Sequence, residues 1–222
     1  MEADEAHQML KRIQEKLEQL RALDTNYQVF NAQAHRYRLN PCLSSQQIDA
    51  LEQRSQILLP AEYRLFLQEI GNGGAGPDYG IFPLEQSLEC RWDDWEKRFP
   101  EMSDYLQEPF VPPTSPDDTG PFDEAWGPGL LVLGHIGCGE FNYLVLSGVE
   151  YGHIWEGSDM HPLPACCFSD LPEEIQKGRG KDFYSSVHRY LLSPAHKQRL
   201  TFLAWYEHWW LDSELRKLAK NT

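Results

Sequence analysis

Apolar residues near the start of the chain recur every three or four positions. Between Glu2 and Leu23 they follow steps of 4, 3, 4 and 3, at Ala6, Leu10, Ile13, Leu17 and Leu20. This spacing places all five on one face of an α-helix and leaves the other faces to charged and amide side chains. It predicts an amphipathic helix that packs on the main domain or on a partner helix. A weaker helical spacing follows at Tyr27, Phe30, Ala34 and Tyr37.

Further helices are predicted on both sides of a central region of different pattern. Ser44 or Ser45 can cap a helix, and Pro60 suits the start of the next one. Residues 85–108 and 169–192 also have helical character, and the latter range is interrupted by glycines at 178 and 180. A closing helix is predicted from the apolar residues Phe202, Leu203, Trp205, Tyr206, Trp209 and Trp210.

The pattern changes to short apolar runs in the middle of the chain. Residues 130–133, 141–146 and 151–155 read as three strands. The connections between them are too short for crossover helices, so an antiparallel meander is predicted.

A glycine-rich loop occupies residues 71–80, where five of the ten residues are Gly. Such a loop can bring backbone amides close to an anion. However, no Gly-Lys-Ser/Thr follows it, and no strand leads into a Gly-x-Gly-x-x-Gly turn, so neither a P-loop nor a dinucleotide site is indicated. A structural turn is the favoured interpretation.

Charge is distributed very unevenly along the chain. The formal net charge is −14, and residues 99–176 alone contain 14 acidic residues and no Lys or Arg. This segment would repel the phosphates of nucleic acid, and an acidic surface of this kind would attract a basic protein partner instead. A solubilising acidic surface is the plainer alternative.

No arrangement of reactive side chains matches a known catalytic or metal-binding pattern. The eight His residues are scattered without His-Glu-x-x-His spacing, and the five Cys residues fit no zinc template. We therefore expect no metal and no cofactor. No apolar run approaches the ~18 residues of a membrane span, and no export signal is visible at the N-terminus, so a soluble, cytoplasmic protein with reduced thiols is expected, without membrane contact.

Three groups of residues in order resemble the SUKH superfamily, which contains fungal cell-wall-assembly regulators and bacterial immunity proteins. The first runs from Leu59-Pro60-Ala61-Glu62-Tyr63 through the glycine-rich loop to Pro83-Leu84. The second runs from Gly137-Cys138-Gly139 to Trp155, and the third is Phe202-x-x-Trp205-Tyr206-x-x-Trp209. The resemblance covers about residues 41–212. It implies an α+β fold, with a mostly antiparallel sheet packed against helices, and a non-enzymatic role.

The chain departs from the short family pattern by additions that could carry a partner preference. The predicted organisation is an N-terminal helical extension at residues 1–40 and a SUKH-like domain at residues 41–222. The resemblance implies an immunity protein that binds and neutralises a cognate bacterial toxin, such as a nuclease-type effector. The alternative is a regulatory interaction module in cell-wall or signalling assembly, and an enzyme with an unrecognised site stays open as a third possibility.

If the partner is a basic toxin, acidic side chains are the predicted contacts, because they would steer association. An aromatic anchor is predicted beside them. The predicted partner-binding residues are Asp93, Asp94, Glu101, Asp104, Asp117, Asp118, Asp123, Glu124 and Trp126. No catalytic residue and no nucleic-acid contact is predicted, and the oligomeric state is left open.

Overall fold

The computed structural model describes residues 3–89, 102–113, 128–158, 162–178, 181–193, 196 and 198–220 of the 222-residue chain. Its helices are α1 (Ala3–Leu23), α2 (Ala32–His35), α3 (Ser45–Ser55), α4 (Ala61–Glu69), α5 (Leu84–Glu89), α6 (Met102–Gln107), α7 (Glu173–Gln176), α8 (Lys181–Leu191), α9 (Phe202–Ala204) and α10 (Asp212–Lys220). A π-helical segment, Trp205–Leu211, joins α9 to α10, and we refer to Phe202–Lys220 as the C-terminal helix. Within the described residues, no helix is both long and apolar enough to cross a membrane.

Four strands form one antiparallel sheet in the order β1-β2-β3-β4. They are β1 (Leu130–Gly137), β2 (Glu140–Val145), β3 (Ile154–Ser158) and β4 (Leu163–Pro164). The predicted α+β fold with an antiparallel sheet packed against helices is therefore confirmed. The third strand begins later than predicted, because residues 151–152 form the turn that leads into it.

The two faces of the sheet are covered differently. Side chains alternate along each strand, so that Leu144 and Ile154 join the helical core on one face. On the other face, Tyr143 lies opposite Trp155, and both belong to a smaller second core. Phe110 closes this second core, with its ring edge-to-face on Trp155 at a centroid distance of 4.9 Å.

The first helix is part of the main hydrophobic core. All five apolar residues of its predicted stripe are buried there, together with residues of α4 and of the C-terminal helix. Ile13 and Leu20 are completely inaccessible to solvent. The predicted amphipathic helix is thus confirmed, and its apolar face packs on the rest of this chain. The boundary at residue 40 between an extension and a domain stays a prediction.

The chain between α1 and α3 is mostly irregular, so the weaker helical prediction for residues 27–37 is wrong. Only the four residues of α2 are helical there, and Tyr27, Asn31, Arg36 and Tyr37 all have positive φ angles. The physical reason lies in Asp24, whose carboxylate accepts the backbone N–H groups of Gln28 and Val29 and the hydroxyl of Tyr37. A buried side chain that takes up backbone donors in this way competes with the helix.

The glycine-rich loop is built into the fold as a backbone packing element. Gly74 forms isolated bridges to Leu39 on one side and to Ile81 on the other. On β1, a Cβ atom added at Gly134 would overlap the carbonyl oxygen of Gly80. The loop therefore lies directly on the sheet, at a distance that only glycine permits.

Candidate functional site

Most of the predicted partner-binding residues lie outside the part of the chain that the structure describes. These are Asp93, Asp94, Glu101, Asp117, Asp118, Asp123, Glu124 and Trp126. Asp104 belongs to α6, but its side chain is not among those described. The segments that carry these residues adjoin described elements: residues 90–101 precede α6, and residues 114–127 lie between Pro113 and Pro128.

An open groove of about 620 Å³ lies on the surface of the described part of the chain. Its walls come from three places: the end of α3 and the loop after it, the end of α6, and the turn between β2 and β3. The lining residues are Asp49, Glu52, Gln53, Gln56, Ile57, Leu58, Leu106, Gln107, Leu146, Ser147 and Tyr151.

The loop after α3 is held in place by Glu52. The carboxylate of Glu52 accepts the backbone N–H of Leu59 at 2.8 Å, and its backbone carbonyl accepts the N–H of Ile57 at 3.1 Å. Across the groove, Tyr151 donates its hydroxyl to the backbone carbonyl of Leu58 at 3.3 Å. The bonds of Glu52 and Tyr151 thus fix the loop after α3 against the β2–β3 turn. The groove wall formed by this loop is therefore preformed.

The two other walls of the groove, at the end of α6 and at the β2–β3 turn, are hydrogen-bonded to each other and to Phe110 of the second core. The backbone N–H of Phe110 donates to the carbonyl of Ser147 at 3.0 Å, and Phe110 pairs with Gly148. The hydroxyl of Ser147 donates to the carbonyl of Gln107 at 3.0 Å. The end of α6 and the β2–β3 turn are thereby joined as one unit. A substitution that displaced Phe110 would be expected to disturb the groove as well as the sheet.

The charge at the groove is negative. Among the described residues that line it there are two carboxylates and no Lys or Arg. Arg64 lies behind the α3 wall, where its guanidinium pairs with Asp49 at 2.7 Å and with Glu52. Two carboxylates therefore share one cation. Glu108, which follows the lining residue Gln107, adds an exposed carboxylate nearby.

A second polar cluster lies at the end of the sheet under the glycine-rich loop. Asn142 on β2 is directly opposite Glu156 on β3, and its side-chain amide donates to Asp78 of the loop. Trp205 of the C-terminal helix donates its indole N–H to Glu156 at 2.8 Å. The cluster therefore joins the loop, the sheet and the C-terminal helix.

Burial raises the pKa of both acids in this cluster. The pKa of Glu156 rises to about 8 and that of Asp78 to about 6. The hydrogen bond from Trp205 opposes the shift at Glu156, as that from Asn142 does at Asp78, but burial outweighs both. Oδ2 of Asp78 and Oδ1 of Asn142 are buried without a hydrogen-bond donor. A neutral, protonated carboxyl group suits such surroundings better than a carboxylate.

The arrangement of other reactive groups offers little for catalysis. In the described part of the chain, no three His, Cys, Asp or Glu side chains are grouped so as to hold a metal ion. Cys166 and Cys167 are free and partly buried, and burial raises the pKa of their thiols to about 12 and about 11. Thiols with such raised pKa values are poor nucleophiles at neutral pH, because little thiolate is present.

Two exposed apolar side chains of the groove were not predicted from sequence. Leu58 and Tyr151 line the groove and are 74% and 44% exposed. Val149, 85% exposed, lies two residues before Tyr151 in the same turn. A signal for them exists in the sequence, because each lies in or beside a turn segment where polar residues are usual. Leu58 lies two residues before Pro60, and Val149 follows Gly148.

The chain belongs to the SMI1 / KNR4 family (SUKH-1), whose model matches residues 42–173, more than half of the chain. The match contains α3, α4, the glycine-rich loop and the whole sheet, and thus every residue that lines the groove. No curated protein and no solved structure matches the chain. Members of this family are generally non-enzymatic interaction modules, and membership supports a role as an immunity protein or as an SMI1/KNR4-like regulator.

Proposed function

We propose that this protein is an immunity protein that binds a cognate bacterial toxin, such as a nuclease-type effector, and neutralises it by protein–protein contact. The observation that carries the proposal is the base-free acidic segment, residues 99–176, in a chain of this family. Two of the three groove walls, at α6 and at the β2–β3 turn, come from this segment. Enzymes that act on nucleic acid present basic surfaces to phosphate, and a protein that covers such a surface needs the opposite charge.

The acidic residues predicted from the sequence are the proposed contacts. Asp117, Asp118, Asp123 and Glu124 lie close together along the chain, with Trp126 beside them as an aromatic anchor. Asp93, Asp94, Glu101 and Asp104 form the second acidic group. Exposed charges of this kind chiefly accelerate association, whereas buried apolar contacts determine how slowly the complex dissociates.

The first experiment uses the product of the open reading frame next to the gene. Expression of that product alone should arrest growth, and co-expression of the present protein should restore growth and inhibit the purified toxin stoichiometrically. A neighbour that is harmless, or a toxin that stays fully active in the presence of this protein, would refute the proposal.

Association kinetics then test the electrostatic part. Asp117→Lys/Asp118→Lys should slow association with the toxin at low salt by about tenfold or more, and added salt should reduce the difference. The matched control is Glu5→Lys/Glu15→Lys, which changes the net charge equally at exposed positions of α1. Equal rates for the two double variants would eliminate the proposed acidic contact.

The family match supports a second candidate equally at the family level, a regulatory interaction module in cell-wall or signalling assembly. Such a module requires no toxin. A phenotype in cell-wall integrity on deletion of the gene, together with a non-toxic neighbouring product, would favour it over the immunity role.

A further inference from the structure

Two of the large apolar side chains exposed on the described surface, Leu58 and Tyr151, line the groove, and two more, Val149 and Val111, lie in chain segments next to its lining residues. Tyr151 is hydrogen-bonded to Leu58, and Val149 lies two residues before it in the same turn. Val111, 71% exposed, follows Phe110, whose backbone is bonded to that turn. Single exposed apolar residues are normal on protein surfaces, but a group of them around one concavity is typical of an interaction site.

The floor of the groove is apolar and rigid. Ile57, Leu106 and Leu146 contribute buried side chains to the main core from beneath it. The backbone around them is held by the hydrogen bonds of Glu52 and Ser147 described above. A partner side chain that enters would therefore cost little ordering of this protein, which favours binding.

Charge selects among the possible occupants. Among the described residues, Asp49 and Glu52 are the charged groups that line the groove, and Arg64, which pairs with both, is not a lining residue. A second copy of this chain carries the same net charge of −14, so the two copies would repel each other. A partner segment with basic residues would instead be attracted to the groove. An apolar side chain between those basic residues would fill the groove itself.

We infer that this groove docks a protein segment that inserts an apolar side chain against Leu58 and Tyr151, beside Val149 in the same turn, and places Lys or Arg side chains near the exposed carboxylates of Asp49 and Glu108. The inference rests on the proposed function only in taking the ligand to be a protein. The inferred contact surface lies within the region that the family model matches. None of the acidic residues predicted from sequence is among the described residues that line it.

The test uses a displayed library of random peptides as the probe, selected against the intact protein. Selected peptides should be enriched in sequences that combine an apolar residue with neighbouring Lys or Arg. Leu58→Asp and Val149→Asp should each weaken binding of these peptides by about tenfold or more. Both side chains are exposed, so the fold should persist, which circular dichroism checks.

The matched control is Phe30→Asp, which removes another exposed apolar side chain, 64% accessible, from the segment between α1 and α2. It should leave peptide binding unchanged. Failure of the library to enrich any peptide, enrichment of acidic sequences, or equal losses in all three variants would overturn the inference. Light scattering provides a further check, because a dimer that Leu58→Asp dissociates would show that the occupant is a second copy.

The outcomes separate this inference from the immunity role. If peptides bind at the groove but no toxin is neutralised, the groove stands and the immunity role fails. If the toxin is neutralised but no peptide is enriched, or if the peptides bind Leu58→Asp and Val149→Asp as tightly as the wild type, the immunity role stands and the groove inference is wrong.

Discussion

Arg12 and Glu207 form a two-bond ion pair between the first helix and the C-terminal helix, although 195 positions separate them. Nε and one terminal nitrogen of Arg12 donate to the two carboxylate oxygens at 2.7 and 2.9 Å, and Lys16 adds a third bond at 2.8 Å. Burial alone would raise the pKa of Glu207, but the bonds from Arg12 and Lys16 outweigh it and hold the pKa below its usual value. The side chain of Glu207 is fully buried, so it depends chiefly on these two partners, with the His208 ring farther away at 3.7 Å.

Removal of both cations should destabilise the protein strongly. Arg12→Ala/Lys16→Ala leaves the buried Glu207 with only the imidazole of His208, 3.7 Å away, and also removes one partner of Asp212. Loss of the partners of a buried charge typically costs about 3–5 kcal/mol. Urea denaturation measures the change in the free energy of unfolding. Lys11→Ala is the control, because Lys11 is exposed on the same helix, and it should change stability by no more than ~0.5 kcal/mol. Similar effects of the two variants would mean that α1 is not held by this pair.

The first helix illustrates what local spacing can and cannot predict. Its apolar stripe follows the helical period so regularly that both the helix and its buried face could be predicted from sequence. The partner on which it packs could not, because the same stripe suits a second chain equally well. Contacts with residues distant in sequence, such as those of Arg12 with Glu207 and of Gln14 with Glu69, distinguish the two.

The close approach of the glycine-rich loop to β1 leads to a second prediction. Gly134→Ala should destabilise the protein by about 2–3 kcal/mol, because the new Cβ would overlap the carbonyl oxygen of Gly80. Gly139→Ala is the control. Gly139 has a φ of +83° but no atom within 4 Å of the added Cβ, so only backbone strain of ~1 kcal/mol is expected. Thermal denaturation of both variants measures the difference, and a greater loss at Gly139 would contradict this packing.

The groove shows why a site is harder to predict than a fold. The strands could be predicted from short apolar runs, since each run reflects its own burial. Leu58 and Tyr151 come together only through the packing of the sheet against the α3–α4 loop. The acidic composition of residues 99–176 was visible, yet Glu150 and Glu156 within it are occupied by Arg199 and Trp205 in the fold. Composition alone does not distinguish such internal partners from surface charge.

The thiols should differ in reactivity according to their surroundings. Cys42 and Cys138 are exposed, whereas Cys166 and Cys167 are partly buried with raised pKa values. In the folded protein near neutral pH, a thiol-labelling reagent should modify the first two at least about tenfold faster than the second two. Mass spectrometry of the labelled peptides assigns the rates, and labelling in denaturant is the control, where all four should react alike. Fast labelling of Cys166 in the folded state would contradict its burial.

Glu156 should make stability depend on pH. The usual pKa of a glutamate is 4.5, and burial raises the folded value to about 8. Between these values the folded protein retains a proton that the unfolded chain has released. The free energy of unfolding should therefore fall as the pH rises from about 4.5 to about 8, by up to ~1.4 kcal/mol per pH unit, and level off above that range. Asp78, with a folded pKa of about 6, should add to the fall in the lower part of the range.

Glu156→Gln should remove most of this dependence. A glutamine keeps an oxygen that can accept the indole N–H of Trp205 and carries no charge at any pH, so the variant should be more stable than the wild type above pH ~8. Glu15→Gln is the control, because Glu15 is an exposed glutamate of α1 that does not act on Glu156 or Asp78, and it should preserve the wild-type slope. Denaturant titrations at a series of pH values give the slopes. A wild-type stability that does not change between pH ~4.5 and ~8, or an unchanged slope in Glu156→Gln, would show that Glu156 is ionised in the folded protein.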